Sequence, residues 1–144
     1  MKDRTTELFG EPVYGYSRAQ AIEDGVLVDL SQAIEPCPFK YPVAMSRAAY
    51  AATIEAGGEY RPDGEECEVL TLPGGQDAQG RVHDVFWTLQ LAIRRQSAPT
   101  DRVHFSVLVD TRGDGRKSQI DLYSVCGPGD TEAPVITIML EGED

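Results

Sequence analysis

The sequence predicts an α+β fold, a single domain over residues 1–144, because its helical and strand-like patterns are separated along the chain. The longest helical pattern covers residues 81–96, and strand-like patterns fill most of residues 102–140. No repeated strand–helix alternation is present, which disfavours a doubly wound parallel sheet. We expect an antiparallel β-meander in the C-terminal third, packed against a main amphipathic helix, with two shorter N-terminal helices.

The strands of the C-terminal third are predicted from alternation and from their short connections. Apolar residues alternate with polar ones over 103–109 and 120–125, and residues 135–140 are almost continuously apolar. The connections at 111–116 and 127–130 are rich in Gly, Asp and Pro, which favour tight turns. Three consecutive strands joined in this way are expected to pair antiparallel.

The main helix is predicted from apolar spacing of three, four, seven and eleven residues. Trp87 and Leu91 widen this stripe, and Pro99 limits its continuation. We expect the helix to pack on the meander. The stripe consists of Val82, Val85, Phe86, Leu89 and Ile93.

Two shorter helices are predicted from capping residues. Ser17 precedes residues 18–24, which Gly25 ends, and Ser46 precedes residues 47–56, which Gly57 ends. Short strands are predicted at 12–16, at 26–30 and at 67–72, the last within a loop-rich region.

The net charge of the chain indicates which classes of partner the protein can bind. It has 24 acidic and 13 basic residues, a formal net charge of -11 and a pI near 4.5, so direct binding to nucleic acid is disfavoured. Residues 51–79 contain seven acidic residues and one basic residue, and residues 119–144 contain six and none. This pattern favours a basic partner, although acidity for solubility alone is the alternative.

Composition and cysteine spacing indicate a soluble, cytoplasmic protein. Hydrophobic residues make up 41% and charged residues 26%, no apolar run is long enough for a membrane span, and the first residues do not resemble a secretory signal. Cys37, Cys67 and Cys126 fit neither a zinc motif nor a disulfide framework. Cys126 follows the strand alternation and is interpreted as a small buried residue.

No catalytic set, metal site or cofactor motif is predicted. His83 and His104 lie in no metal-binding pattern and have no evident catalytic partner. Residues 110–121 match a calcium loop only in part, because Arg112 replaces an acidic ligand and Asp121 stands where a bidentate Glu is expected. We therefore predict that this segment is a hairpin turn and that the protein is not an enzyme.

Residues 13–29, which read VYGYSRAQAIEDGVLVD, resemble the opening of an uncharacterised family of small proteins encoded on bacterial plasmids, phages and integrative elements. The resemblance implies an accessory protein of a mobile element in a bacterial cytoplasm, and it implies no activity and no site residues. Further similar segments lie at 41–48, 80–87, 93–95, 127–130 and 134–140.

The first functional hypothesis is a non-enzymatic acidic interaction protein of a mobile genetic element. It would bind a basic surface of a host or mobile-element protein, for example as a counter-defence inhibitor of restriction or CRISPR systems. The predicted contacts are Glu65, Glu66, Glu68, Glu141, Glu143 and Asp144.

The alternative is a small enzyme or ligand-binding domain with a pocket between helix and sheet. A third possibility is an oligomeric accessory protein with hydrophobic partner recognition; the oligomeric state stays open. The candidate pocket residues are His83, Asp84, Trp87 and Tyr123.

Overall fold

A computed structural model describes residues 16–143 of the chain. Within that range no helix is long and apolar enough to cross a membrane. Most of the strand predicted at 12–16 lies outside the described residues, and Tyr16 belongs to no helix or strand. The elements are α1 (Arg18–Glu23), β1 (Leu27–Asp29), β2 (Val43–Ser46), α2 (Arg47–Thr53), β3 (Glu59–Pro62), β4 (Glu68–Thr71), a 3₁₀ turn (Pro73–Gly75), α3 (Ala78–Arg94), β5 (Arg102–Val109), β6 (Ser118–Pro128) and β7 (Pro134–Leu140).

The main sheet has five strands in the order β1-β2-β7-β6-β5, which confirms the mixed α+β class. β5 pairs antiparallel with β6, and β6 pairs antiparallel with β7. β2 lies parallel to β7, with Val43 opposite Ile136, and β1 pairs antiparallel with β2. The β2–β7 pairing was not predicted, because it joins distant segments that share no turn signal.

A second, two-stranded sheet consists of β3 and β4, with Tyr60 opposite Leu70. The sequence predicts only one strand in this region, at 67–72. β3 was missed because all four of its residues are exposed, so it has no apolar alternation, and because it ends at Pro62.

The core lies between α3 and one face of the main sheet. Val82, Val85, Phe86 and Leu89 are at most 3% exposed, as their spacing predicts. The prediction for Ile93 was wrong, since its side chain is 41% exposed. Ile93 lies one residue before the end of α3, where it lines a surface cleft instead of the core.

The boundaries of the helices depend on their caps and on Arg81. The Oγ atoms of Ser17 and Ser46 accept hydrogen bonds from backbone N–H groups at the starts of α1 and α2, as predicted. α3 begins at Ala78, earlier than predicted, because Asp77 Oδ1 accepts the N–H of Gly80 at 2.6 Å.

α2 ends at Thr53, three residues before the predicted end. The nearly buried Arg81 donates through Nη1 to the carbonyls of Thr53, Ile54 and Ala56, at 3.2, 3.0 and 2.7 Å. These carbonyl groups therefore accept hydrogen bonds from the Arg81 guanidinium instead of from the N–H groups of a further helical turn, and the helix ends. Burial lowers the pKa of Arg81 from its ordinary value, and the nearby charge of Asp110 acts in the opposite direction.

Candidate functional site

Residues 59–71 form a two-stranded, strongly negative segment, which we call the acidic hairpin. Every residue from 59 to 69 is exposed. Arg61 is its single basic residue, and its Nε donates to a Glu59 carboxylate oxygen at 2.7 Å. The five carboxylates of the acidic hairpin belong to Glu59, Asp63, Glu65, Glu66 and Glu68.

The acidic hairpin is tied to the body of the protein through Tyr60. The Tyr60 hydroxyl donates to a carboxylate oxygen of Glu55, and this hydrogen bond raises the pKa of Tyr60 to about 12. Arg47 forms an ion pair with the same Glu55, at 2.9 Å. The base of the acidic hairpin is therefore fixed against the start of α2.

Three of the predicted contact residues lie on the acidic hairpin with unengaged carboxylates. Glu65 and Glu66 lie in the connection between β3 and β4, and Glu68 is the first residue of β4. Within residues 16–143, none of the three side chains makes a hydrogen bond or an ion pair with protein. Their carboxylates are therefore exposed and bound by no described residue.

The other predicted contacts follow β7. Glu141 is exposed, whereas the carboxylate of Glu143 accepts hydrogen bonds from Ser46 Oγ at 2.5 Å and from the backbone N–H of Leu140 at 2.7 Å. Asp144 lies outside the described residues. Glu143 thus anchors the chain after β7, whereas the half-exposed carboxylate of Glu141 lies beside His104.

The sheet face opposite α3, which we call the open face, carries a histidine–carboxylate pair that sequence analysis missed. His104 Nδ1 lies 2.9 Å from Glu141 Oε2, and both side chains are about half exposed. The pair forms because β5, β6 and β7 align in register, and the Glu141 N–H donates to the Asp121 carbonyl at 3.0 Å. Only that register, which the sequence does not specify, could have identified Glu141 as the partner of His104.

A second polar group on the open face surrounds Asp121. Its carboxylate accepts hydrogen bonds from Ser106 Oγ at 2.6 Å and from Gln119 Nε2 at 2.8 Å. These hydrogen bonds, that from Ser106 first, hold the pKa of Asp121 below its ordinary value. The hydroxyl of Ser106 is thereby directed to a carboxylate and not to His104.

The side chains expected to form the alternative pocket are separated. His83 and Asp84 are exposed on α3, with Nδ1 and Oδ1 3.8 Å apart, and Trp87 is 52% exposed. Tyr123 is buried on the open face, where the guanidinium of Arg102 lies 4.6 Å from its ring centroid. None of these four residues lines the cleft described next.

A cleft of about 680 Å³ does lie between helix and sheet, at the C-terminal end of α3. Its walls come from the segment 38–41, from the end of α3 and from the connection 96–101. The floor is formed by Val103 of β5, Ser124 and Cys126 of β6, and Ile136 of β7.

The fold and these surface features describe a small α+β domain with an acidic hairpin and a separate cleft. The chain belongs to a family of unknown function (DUF6573), whose model matches residues 9–144. Neither the curated proteins nor the solved structures contain a significant match to this chain. The description of the family assigns no activity, so none is transferred to this protein.

Proposed function

We propose that this protein is a non-enzymatic interaction protein that binds a basic surface of another protein through the acidic hairpin. The observation that carries the proposal is the uninterrupted exposure of residues 59–69, a segment with five carboxylates and one basic side chain. Clustered charge of one sign raises the rate of encounter with an oppositely charged partner.

The acidic hairpin also offers apolar contact area. Tyr60 and Val69 are 48% and 47% exposed, and protein interfaces commonly combine aromatic or aliphatic side chains with a polar rim. Glu65, Glu66 and Glu68 supply the charge beside them. Glu141 is proposed as a second contact, while Glu143 acts by holding the segment after β7 in place.

The proposed setting is a bacterial cytoplasm, with the protein encoded on a mobile genetic element. This part of the proposal rests on the resemblance of residues 13–29 to small proteins of plasmids, phages and integrative elements. In that setting the partner is a nucleic-acid-binding protein, such as a restriction or CRISPR nuclease. Carboxylates can compete there with the phosphates of DNA, which present about one charge per 1.7 Å of duplex.

The proposal is tested with two variants of equal charge. Glu65→Gln, Glu66→Gln and Glu68→Gln together remove three of the five carboxylates of the acidic hairpin, and the control combines Glu23→Gln, Asp84→Asn and Glu132→Gln at other exposed sites. Each tagged protein is used to capture partners from a bacterial lysate at about 0.05 M and about 0.5 M salt. A partner held by wild type and control, but lost with the hairpin variant and at high salt, supports the proposal.

The captured partner is then mixed with labelled duplex DNA. Wild-type protein and the control variant should displace the DNA, and the hairpin variant should not. Equal capture by the two variants would show that the acidic hairpin is not the binding surface. Capture without displacement of DNA would contradict the proposed competition.

A further inference from the structure

The cleft at the end of α3 is a second surface with its own chemistry, and it shares no residue with the acidic hairpin. Its volume of about 680 Å³ falls within the range of small-molecule sites, roughly 300 to 1,000 Å³. Ile93 in its wall and Val103 and Ile136 on its floor give it an apolar lining. A lining of this kind favours a ligand with an apolar body.

The floor of the cleft contains a buried hydroxyl group without a protein partner. Ser124 is 4% exposed, and within residues 16–143 its Oγ makes no hydrogen bond. Its neighbours across the strands are Val103 and Ile138, which offer no polar side-chain atoms. Because a buried unpaired hydroxyl is unfavourable, a polar ligand atom at this position would stabilise the folded protein.

The lining of the cleft is also positive in an otherwise acidic protein. Lys40 and Arg94 contribute to it from two different segments, against the single carboxylate of Asp101. Arg94 lies in the last turn of α3, where a positive charge also complements the helix dipole. The next residue, Arg95, lies at the same helix end but does not line the cleft.

We propose that the cleft binds a small organic acid with an apolar body and a second oxygen function. The carboxylate faces Lys40 and Arg94, and the apolar body packs on Val103 and Ile136. The second oxygen function, a hydroxyl or carbonyl group, hydrogen-bonds to Ser124 Oγ. This proposal is independent of the acidic hairpin and of the partner that it binds.

Three ω-hydroxy acids serve as probes: 6-hydroxyhexanoate, 8-hydroxyoctanoate and 10-hydroxydecanoate. At least one is expected to raise the melting temperature of the full chain, because a ligand of the folded state stabilises it. The matched diol, which lacks the carboxylate, and the matched plain acid, which lacks the hydroxyl, should bind more weakly. Affinities are measured by titration calorimetry.

Two substitutions locate the groups that recognise the ligand. Ser124→Ala should weaken binding of the hydroxy acid about five- to tenfold and leave binding of the plain acid unchanged. It should not lower the stability of the free protein, as it would if the hydroxyl were a structural hydrogen-bonding group. Arg94→Gln should weaken binding of both acids, whereas the control Arg95→Gln should not.

The rates at which two cysteine thiols are alkylated show where the ligand binds. Cys126 is half-buried on the floor of the cleft, and Cys67 is exposed on the acidic hairpin. A bound hydroxy acid should slow alkylation of Cys126 by iodoacetamide and leave Cys67 unaffected, as followed by mass spectrometry.

The proposal is overturned if none of the three acids binds, if Ser124→Ala and Arg94→Gln bind like wild type, or if Cys126 is not protected. The variant with Glu65→Gln, Glu66→Gln and Glu68→Gln on the acidic hairpin should bind the acids normally. Failure of the cleft proposal would therefore leave the interaction proposal intact, and the reverse also holds.

Discussion

The guanidinium of Arg81 lies 2.8 Å from the backbone carbonyl oxygen of Asp110, the residue directly after β5. The side chain of the same Asp110 accepts hydrogen bonds from the backbone N–H groups of Gly113 and Gly115, at 2.7 and 2.9 Å. Asp110 therefore joins the start of α3 to the β5–β6 turn. This use of the Asp110 oxygens by the backbone explains why the segment that partly matches a calcium loop forms a turn.

Replacing Arg81 with Met should destabilise the protein by about 2 to 4 kcal/mol, because the substitution leaves several buried carbonyl groups without a donor. The measurement is the midpoint of urea unfolding at constant m. Arg95→Met, at an exposed site one helix end away, should change stability by less than about 0.5 kcal/mol. Equal effects of the two substitutions would show that the Arg81 hydrogen bonds do not matter to the fold.

The neighbours Phe86 and Trp87 provide a matched test of the α3 packing. Phe86 is 1% exposed and its ring meets that of Phe39 edge-on, with centroids 5.2 Å apart, whereas Trp87 is 52% exposed. Phe86→Ala should lower the free energy of unfolding by about 3 to 5 kcal/mol, and Trp87→Ala by about 1 kcal/mol or less. A larger loss from the Trp87 substitution would contradict the orientation of α3.

Alanine substitutions at Gly57 and Gly25 distinguish the effect of a steric clash from the effect of backbone strain. Both have positive φ, +75° and +80°, but a Cβ at Gly57 would lie 1.9 Å from the Thr111 carbonyl oxygen, while at Gly25 nothing lies within 4 Å. Gly25→Ala should lower the free energy of unfolding by about 1 to 2 kcal/mol through backbone strain alone. Gly57→Ala should lower the free energy of unfolding by a clearly larger amount, because the steric contact adds to the strain. Similar thermal unfolding of the two variants would contradict the close approach of Gly57 to Thr111.

The carboxylate of Asp110 should make stability depend on pH in the acid range. Backbone N–H groups, that of Gly115 first, hold the pKa of Asp110 below its ordinary value of 3.8. A depressed pKa in the folded state contributes stability above pH 3.8, and this contribution is lost as the pH falls through the folded-state pKa. The difference in unfolding free energy between wild type and Asp110→Asn should therefore be constant near neutrality and shrink in acid.

The control for this titration is Glu132→Gln, at an exposed site that makes no side-chain hydrogen bond within the described part of the chain. The difference in unfolding free energy between Glu132→Gln and wild type should stay small across the same pH range. A constant difference for Asp110→Asn down to the lowest pH would contradict a role for the ionised carboxylate.

The features that could be predicted from the sequence are those with local physical causes. Ser17 and Ser46 cap their helices because a hydroxyl next to free N–H groups acts within one turn. The apolar spacing of α3 identifies Val85 and Phe86 as core residues in the same way. In contrast, the parallel pairing of β2 with β7 depends on contacts between distant segments, for which no local pattern exists.

The candidate surfaces were predictable to different degrees. The acidity of residues 59–68 is visible in the sequence, but their exposure on a two-stranded sheet is not, since β3 has no apolar alternation. A pocket between helix and sheet was part of the alternative hypothesis, but the residues that line the cleft were not predicted, because they come from segments far apart in the chain, including Lys40, Arg94 and Ser124. Tyr123 was proposed as a pocket residue, yet strand alternation places its side chain on the opposite face from Ser124.

The central position of β7 has a consequence for the order of events during synthesis. β7 lies between β2 and β6, so a nascent chain whose residues 134–140 are still inside the ribosome has two strand edges without their partner. Unpaired strand edges can associate with other chains. Among the described strands, the last to emerge is therefore the one that closes the sheet, so the sheet cannot be completed before residues 134–140 have left the ribosome.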